Sequence, residues 1–173
     1  DRSDIKYTVK ELSRHMGAPR VKDARKLTRF AKYLLTRPRH VTRYDYQQWN
    51  GCLNIWSDTD YAGCRETRKS TSGGLITIGD HIIRFWSSTQ NVIALSSGEA
   101  EYYGMVRAAA EGIVSKSILA DMHVNVKLKL MEDSSAAKGI AERTGLGKVR
   151  HIEVNQLWLH QKVRSEEIQI VKV

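Results

Sequence analysis

The sequence predicts an α/β domain built on a mixed sheet, preceded by a basic helical segment. Three observations predict it. Short apolar runs between Leu53 and Ser87 alternate at period two and are separated by Gly and Asp turns. A capping sequence then opens a long segment at helical spacing. From there strand-like and helix-like patterns alternate to the last residue. The order from Leu53 is β-β-β-α-β-α-α-β, a three-strand antiparallel meander followed by parallel strands, with helices on the faces of the sheet.

Each element has its own signature. Residues 1–36 read as helical. Leu12, Met16 and Val21 are sparse, and Asp23 is placed to cap a segment with Leu27, Phe30, Ala31, Leu34 and Leu35 on one face. Pro38 stops it. Residues 52–57 form the first strand candidate. Gly73-Gly74 leads into the second, Leu75–Ile78. Gly79-Asp80 is a two-residue hairpin turn with glycine first, as type II′ prefers, and residues 81–87 form the third strand. Ser96-Ser97-Gly98-Glu99 is a capping box, with Glu99 reaching back to Ser96. It opens a helix from about Ser97 to Asp121. Residues 124–131 alternate as a strand with Val124, Val126, Leu128 and Leu130 on one face. Ser134–Arg143 is a short helix, Gly145 and Gly147 mark a loop, Ile152–Val163 is a helix and Ile168–Val173 a strand.

Composition narrows the class. The chain has 173 residues, 41% of them hydrophobic, enough for one domain with a sizeable core plus an appendage. No run approaches the roughly 18 consecutive apolar residues of a membrane span. The opening DRSDIKYTVK is polar and charged, unlike a signal peptide. Cys52 and Cys64 lack metal-ligand spacing and are expected to be reduced thiols. The net charge of +9 is uneven. Residues 1–50 hold thirteen Lys and Arg against five Asp and Glu; residues 51–173 hold fifteen against fourteen. The first part therefore resembles a polyanion-binding surface or a solvated helix face, and the second an ordinary neutral domain. The boundary is expected near Asp45–Gly51, giving segments 1–45 and 51–173.

Three carboxylates stand out by position. Asp58 ends the first strand, Glu101 lies in the first turns of the long helix, and Asp133 ends the fourth strand. Ligands of α/β sheets gather at strand ends. Clustered carboxylates repel unless a cation lies between them, and oxygen ligands select Mg2+ or Mn2+. Two such ions would activate water and stabilise a leaving oxygen in phosphodiester cleavage. Plainer readings stand beside this one. Asp60 suits the opening of a turn, Glu99 a cap, Asp133 a cap for the helix from Ser134, and Glu101 a surface position. Glu132 alternates away from Asp133 and is expected to be solvated. His151 and His160 suit packing better than ligation. Asp58-Thr59-Asp60 also fits a phosphatase DxD, but that fold needs a late acidic pair that is absent from the pattern.

Four blocks carry a resemblance: SDTDYAGCRETRKSTSG, WSSTQNVIALSSGEAEYYG, EDSSAAKGI and KVRHIEVNQLWLHQKV. In this order they resemble the ribonuclease H domain of copia-type LTR retrotransposon Pol polyproteins. The stretch Arg2–His40 is similar to the end of the adjoining reverse transcriptase region. The resemblance implies a ribonuclease H-like fold and two-metal hydrolysis, with Mg2+ or Mn2+, of the RNA strand of an RNA–DNA hybrid. It implies an intracellular setting in a cytoplasmic virus-like particle, with the reverse transcriptase region as partner and no membrane. Asp58, Glu101 and Asp133 take the family's metal-ligand positions and catalytic roles. Arg65, Arg68 and Lys69, and Arg25 and Arg29 in the basic helix, would contact phosphates. Recognition would follow backbone shape and sugar hydroxyls. The departures are Ser134 for Asn, Thr89 for Lys and Glu153 for Asp. The family's fourth carboxylate falls after the last strand, beyond Val173, so a truncated domain with three ligands is expected. Its alternative is an inactive nucleic-acid-binding remnant.

Overall fold

The computed structural model describes residues 2–143 and 157–173. The expected glycine loop at Gly145 and Gly147, His151, Glu153 and the first turn of the helix from Ile152 lie outside the described residues. Two compact units form, Asp1–Tyr46 and Gln47–Val173. Among the described residues, no helix is long and apolar enough to cross a membrane.

The first unit holds a 3-10 turn at Ser3–Ile5, α1 at Lys6–Ser13 and α2 at Val21–Thr36. Asp23 does not occupy the cap position. Arg20 does, with extended backbone, and Asp23 is the third helical residue. Its carboxylate reaches back to accept from the Arg20 backbone N–H at 3.1 Å, as an acid at that position can. Tyr33 Oη donates to Asp4 at 2.7 Å and so ties α2 to the 3-10 turn. On α2, Leu27 and Leu35 remain exposed while Phe30 and Leu34 are half-buried. The helix stops at Thr36, two residues before Pro38.

The second unit is a five-stranded sheet in the order β3-β2-β1-β4-β5. Its strands are β1 (Cys52–Asp60), β2 (Thr71–Ile78), β3 (His81–Thr89), β4 (Lys127–Glu132) and β5 (Ile168–Lys172). β1, β2 and β3 pair antiparallel; β4 pairs parallel with β1, and β5 parallel with β4. Both glycines expected before β2 lie inside it, because the strand pairs as far as Asp60↔Thr71. Gly74 is required there: the Trp86 indole lies where its Cβ would stand. At the hairpin Gly79 has φ +56°, as the turn needs. The Gln47 amide holds this turn, donating to the Ile78 carbonyl at 2.6 Å and accepting from the Asp80 N–H at 2.9 Å.

β1 also runs three residues past its expected end. Asp58 therefore lies within a strand on the β2 side, where β2 keeps pairing, but past the last β1–β4 pair, Trp56↔Met131. The sheet opens between β1 and β4 at that level.

Alternate residues of the strands, among them Leu53, Ile55, Leu128, Leu130, Ile168 and Ile170, are buried in one core with α3 (Ser97–Asp121). Tyr102, Met105, Ala108 and Ala109 of α3 belong to the same core. Each fully buried Leu or Ile contributes about 1.5–3 kcal/mol. α3 approaches closely because its facing residues are small: a Cβ on Gly112 would strike the Ile55 side chain, and one on Gly104 the Thr59 hydroxyl. α4 (Ser135–Glu142) packs on α3, where a Cβ on Gly98 would come within 2.8 Å of the Ala136 methyl. α5 (Trp158–Arg164) completes the described helices.

Candidate active site

Three elements deliver carboxylates to the opening between β1 and β4. β1 carries Asp58, exposed, with Ser57 and Thr59 buried on either side of it. β4 ends at Glu132, and Asp133 follows it, exposed. Ser134, not Asp133, caps α4: its hydroxyl accepts from the Ala137 N–H at 3.2 Å. Asp133 is thus released from the capping role that the sequence allowed it.

α3 supplies Glu101, one turn into the helix. The start of that helix is fixed from several sides. Ser96 Oγ accepts from the Glu99 N–H at 3.2 Å. The Glu99 carboxylate accepts from the Leu95 N–H at 2.9 Å and from the Tyr103 hydroxyl at 2.8 Å. Gln90, at the end of β3, donates to the Ala100 carbonyl and to Ser72 Oγ, both at 2.8 Å. The Glu101 carboxylate then accepts from the backbone N–H of Thr59, beyond the reach of the β1–β4 ladder.

Electrostatics report the convergence. The Glu101 carboxyl is pushed up to about 8, first by burial and then by the charges of Glu132, Asp58 and Asp133. Its Oε2 is buried with no protein hydrogen-bond partner. A buried carboxyl oxygen left unpaired is costly, and a cation would satisfy it. Among the described residues, no three carboxylate, imidazole or thiol groups stand close enough to enclose an ion as they are. The site is a set of neighbouring oxygen donors, mutually repelling, rather than a closed cage. Its donor chemistry fits a hard divalent ion.

Glu132 is not solvated as expected. It is fully buried, and burial is the main cause that raises its carboxyl to about 7. The Ser57 hydroxyl donates to its Oε2 at 2.9 Å, and the Ser134 N–H to its Oε1 at 3.0 Å. The signal was in the period-two pattern: Leu128, Leu130 and Glu132 share a face, and that face is the core. Gln90 was also missed, since an amide after a strand gives no sign of burial in the sequence.

The other candidates belong to other segments of the chain. Asp60 serves the loop 61–70, where its carboxylate receives the Thr71 N–H. That loop carries Arg65 and Arg68, both exposed, and Lys69, half-buried. Arg25 and Arg29 are exposed on α2 of the first unit. His160 packs edge-on against Tyr102, with ring centroids 5.9 Å apart, and burial lowers its pKa. Cys52 and Cys64 are both half-buried.

A mixed sheet of order β3-β2-β1-β4-β5, with acids offered by β1, α3 and the end of β4, defines a ribonuclease H-like domain. No family model matches the chain. Retrovirus-related Pol polyproteins from transposons align with 70–99% of it. The one from transposon RE1 of Arabidopsis thaliana is 27% identical over 99% of this chain, which spans 12% of that polyprotein's length. The secreted RxLR effector protein 161 of Plasmopara viticola is 30% identical, over 65% of this chain and 78% of that one. Among solved structures, LC11-RNase H1, isolated from compost, aligns with 71% of this chain and 84% of its own, at 18% identity and TM-score 0.47. The chain is thus similar to retrovirus-related Pol polyproteins from transposons and spans 9–12% of their length.

Proposed function

We propose that residues 47–173 form a metal-dependent ribonuclease H domain that hydrolyses the RNA strand of RNA–DNA hybrids during reverse transcription, and that residues 1–46 are the end of the preceding reverse transcriptase region. The reading implies work inside the cell, within the particle in which a transposon copies its RNA. One observation supports it above the rest. Glu101, with a buried and unpartnered oxygen, is held beside Asp58 and Asp133 where the sheet opens.

The roles follow from position. Asp58 and Asp133 are exposed and offer oxygens at the edge of the opening, while Glu101 closes it from the helix side. A bound Mg2+ or Mn2+ would supply Lewis-acid stabilisation of the phosphate oxygens and a water of lowered pKa. The Thr59 N–H keeps the Glu101 carboxylate oriented toward β1. Arg65, Arg68 and Lys69 neutralise backbone phosphates, and Arg25 and Arg29 add to the sequence-independent attraction.

The test is cleavage of a labelled RNA–DNA hybrid by the whole chain in Mn2+. The reading expects cleavage of the RNA strand alone, and its loss in Asp58→Asn. Binding of the hybrid without any cleavage would instead favour a nucleic-acid-binding remnant. Cleavage that survives Asp58→Asn would remove the site assignment.

A further inference from the structure

The opening between β1 and β4 raises a mechanical question. Backbone pairing holds these strands only as far as Trp56↔Met131. Asp58 lies two residues beyond that pair within β1, and Asp133 two residues beyond it, just past the end of β4. Beyond that pair β1 is paired only with β2 and β4 only with β5, so no β1–β4 rung sets the spacing of the two carboxylates, yet a shared ion needs its donors placed to within about 0.5 Å.

We propose that Glu132 is a positioning residue, a side-chain rung that replaces the missing backbone ladder and sets the spacing of Asp58 and Asp133. Its two oxygens bind the residue before one aspartate and the residue after the other. Ser57 Oγ donates to Oε2 at 2.9 Å, and Ser134 N donates to Oε1 at 3.0 Å. Its own backbone carbonyl accepts from the Val173 N–H at 3.1 Å, which anchors it to β5. The side chain is fully buried on the core face beneath the opening. It has little freedom to swing outward and ligate. A neutral glutamine could make the same two bonds, because the Ser57 hydroxyl can reverse from donor to acceptor. Its geometry, rather than its charge, is what the site uses.

This inference rests on the proposed metal site, and the test separates the two. Mn2+ affinity of the whole chain is read by electron paramagnetic resonance, with thermal unfolding as a fold control. Glu132→Ala is expected to weaken Mn2+ binding by about 10–100-fold, the usual effect of losing a residue that orients ligands. Glu132→Gln is expected to keep wild-type affinity, because the amide keeps both bonds. A purely structural role would lower the unfolding temperature in Glu132→Ala and leave Mn2+ affinity unchanged, and that result overturns the proposal. Glu132→Gln falling as far as Asp58→Asn also overturns it, since Glu132 would then be a ligand. If Glu132→Ala does not fold, Ser57→Ala decides: weakened Mn2+ binding at wild-type stability supports the rung, and unchanged binding overturns it. Mn2+ affinity unaffected by Asp58→Asn would remove the metal site itself, and the rung with it.

Discussion

At the scale of single residues, two carboxyls make the site dependent on pH. The Glu101 carboxyl is raised to about 8 and that of Glu132 to about 7, from ordinary values of 4.5. Between those limits the folded protein binds more protons than the unfolded chain. Its stability therefore falls as pH rises from about 4.5 toward 8. The metal-free protein should show a declining unfolding temperature across that window, and Glu101→Gln should flatten the decline. Mn2+ affinity should run the opposite way, rising with pH, because a ligand must lose its proton first. Proton release on Mn2+ binding, measured by calorimetry in buffers of different ionisation enthalpy, checks this. Asp58→Asn should reduce hybrid cleavage by more than the 10–100-fold typical of a lost supporting residue. The loss belongs to turnover rather than to hybrid binding, which phosphate contacts dominate.

At the scale of elements, α3 is where packing and chemistry meet. Its small residues let it lie close to β1, and that closeness carries Glu101 to Thr59. Gly112→Val should overpack against Ile55 and cost about 1–3 kcal/mol in urea unfolding. Ser96→Ala should cost about 0.5–2 kcal/mol by removing the cap of the same helix. The elements that the sequence made legible are those with local causes. The Ser96 cap and the long helical spacing gave α3 its bounds, and the glycine turn placed the β2–β3 hairpin. What stayed hidden depends on partners distant in the chain. β1 extends to Asp60 only because Thr71, Ser72 and Gly73 return beside it. Glu132 looked solvated because acids usually are, although its neighbours Leu128 and Leu130 already marked its face as the inner one. Its partner Ser57 lies 75 positions away. Asp58, Glu101 and Asp133 were placed at strand and helix ends by pattern, but only the fold shows their carboxyls interacting.

At the scale of the whole molecule, charge is divided between the two units. The excess of Lys and Arg falls in residues 1–50, while the remainder is nearly balanced. Binding to an RNA–DNA hybrid should therefore weaken steeply with salt, and deleting residues 1–46 should make the salt slope shallower. Fluorescence anisotropy over a range of salt concentrations measures it. The deletion should leave the RNA strand as the one cleaved, because the carboxylates belong to residues 47–173. The central claim is narrower than any of these effects: the acids of residues 58, 101 and 133 serve one divalent cation. Anomalous X-ray diffraction from crystals soaked in Mn2+ tests it most directly. The account predicts a manganese peak within bonding distance of oxygens from Asp58, Glu101 and Asp133. A fully loaded crystal whose manganese lies elsewhere, with those three side chains uncoordinated, would contradict it.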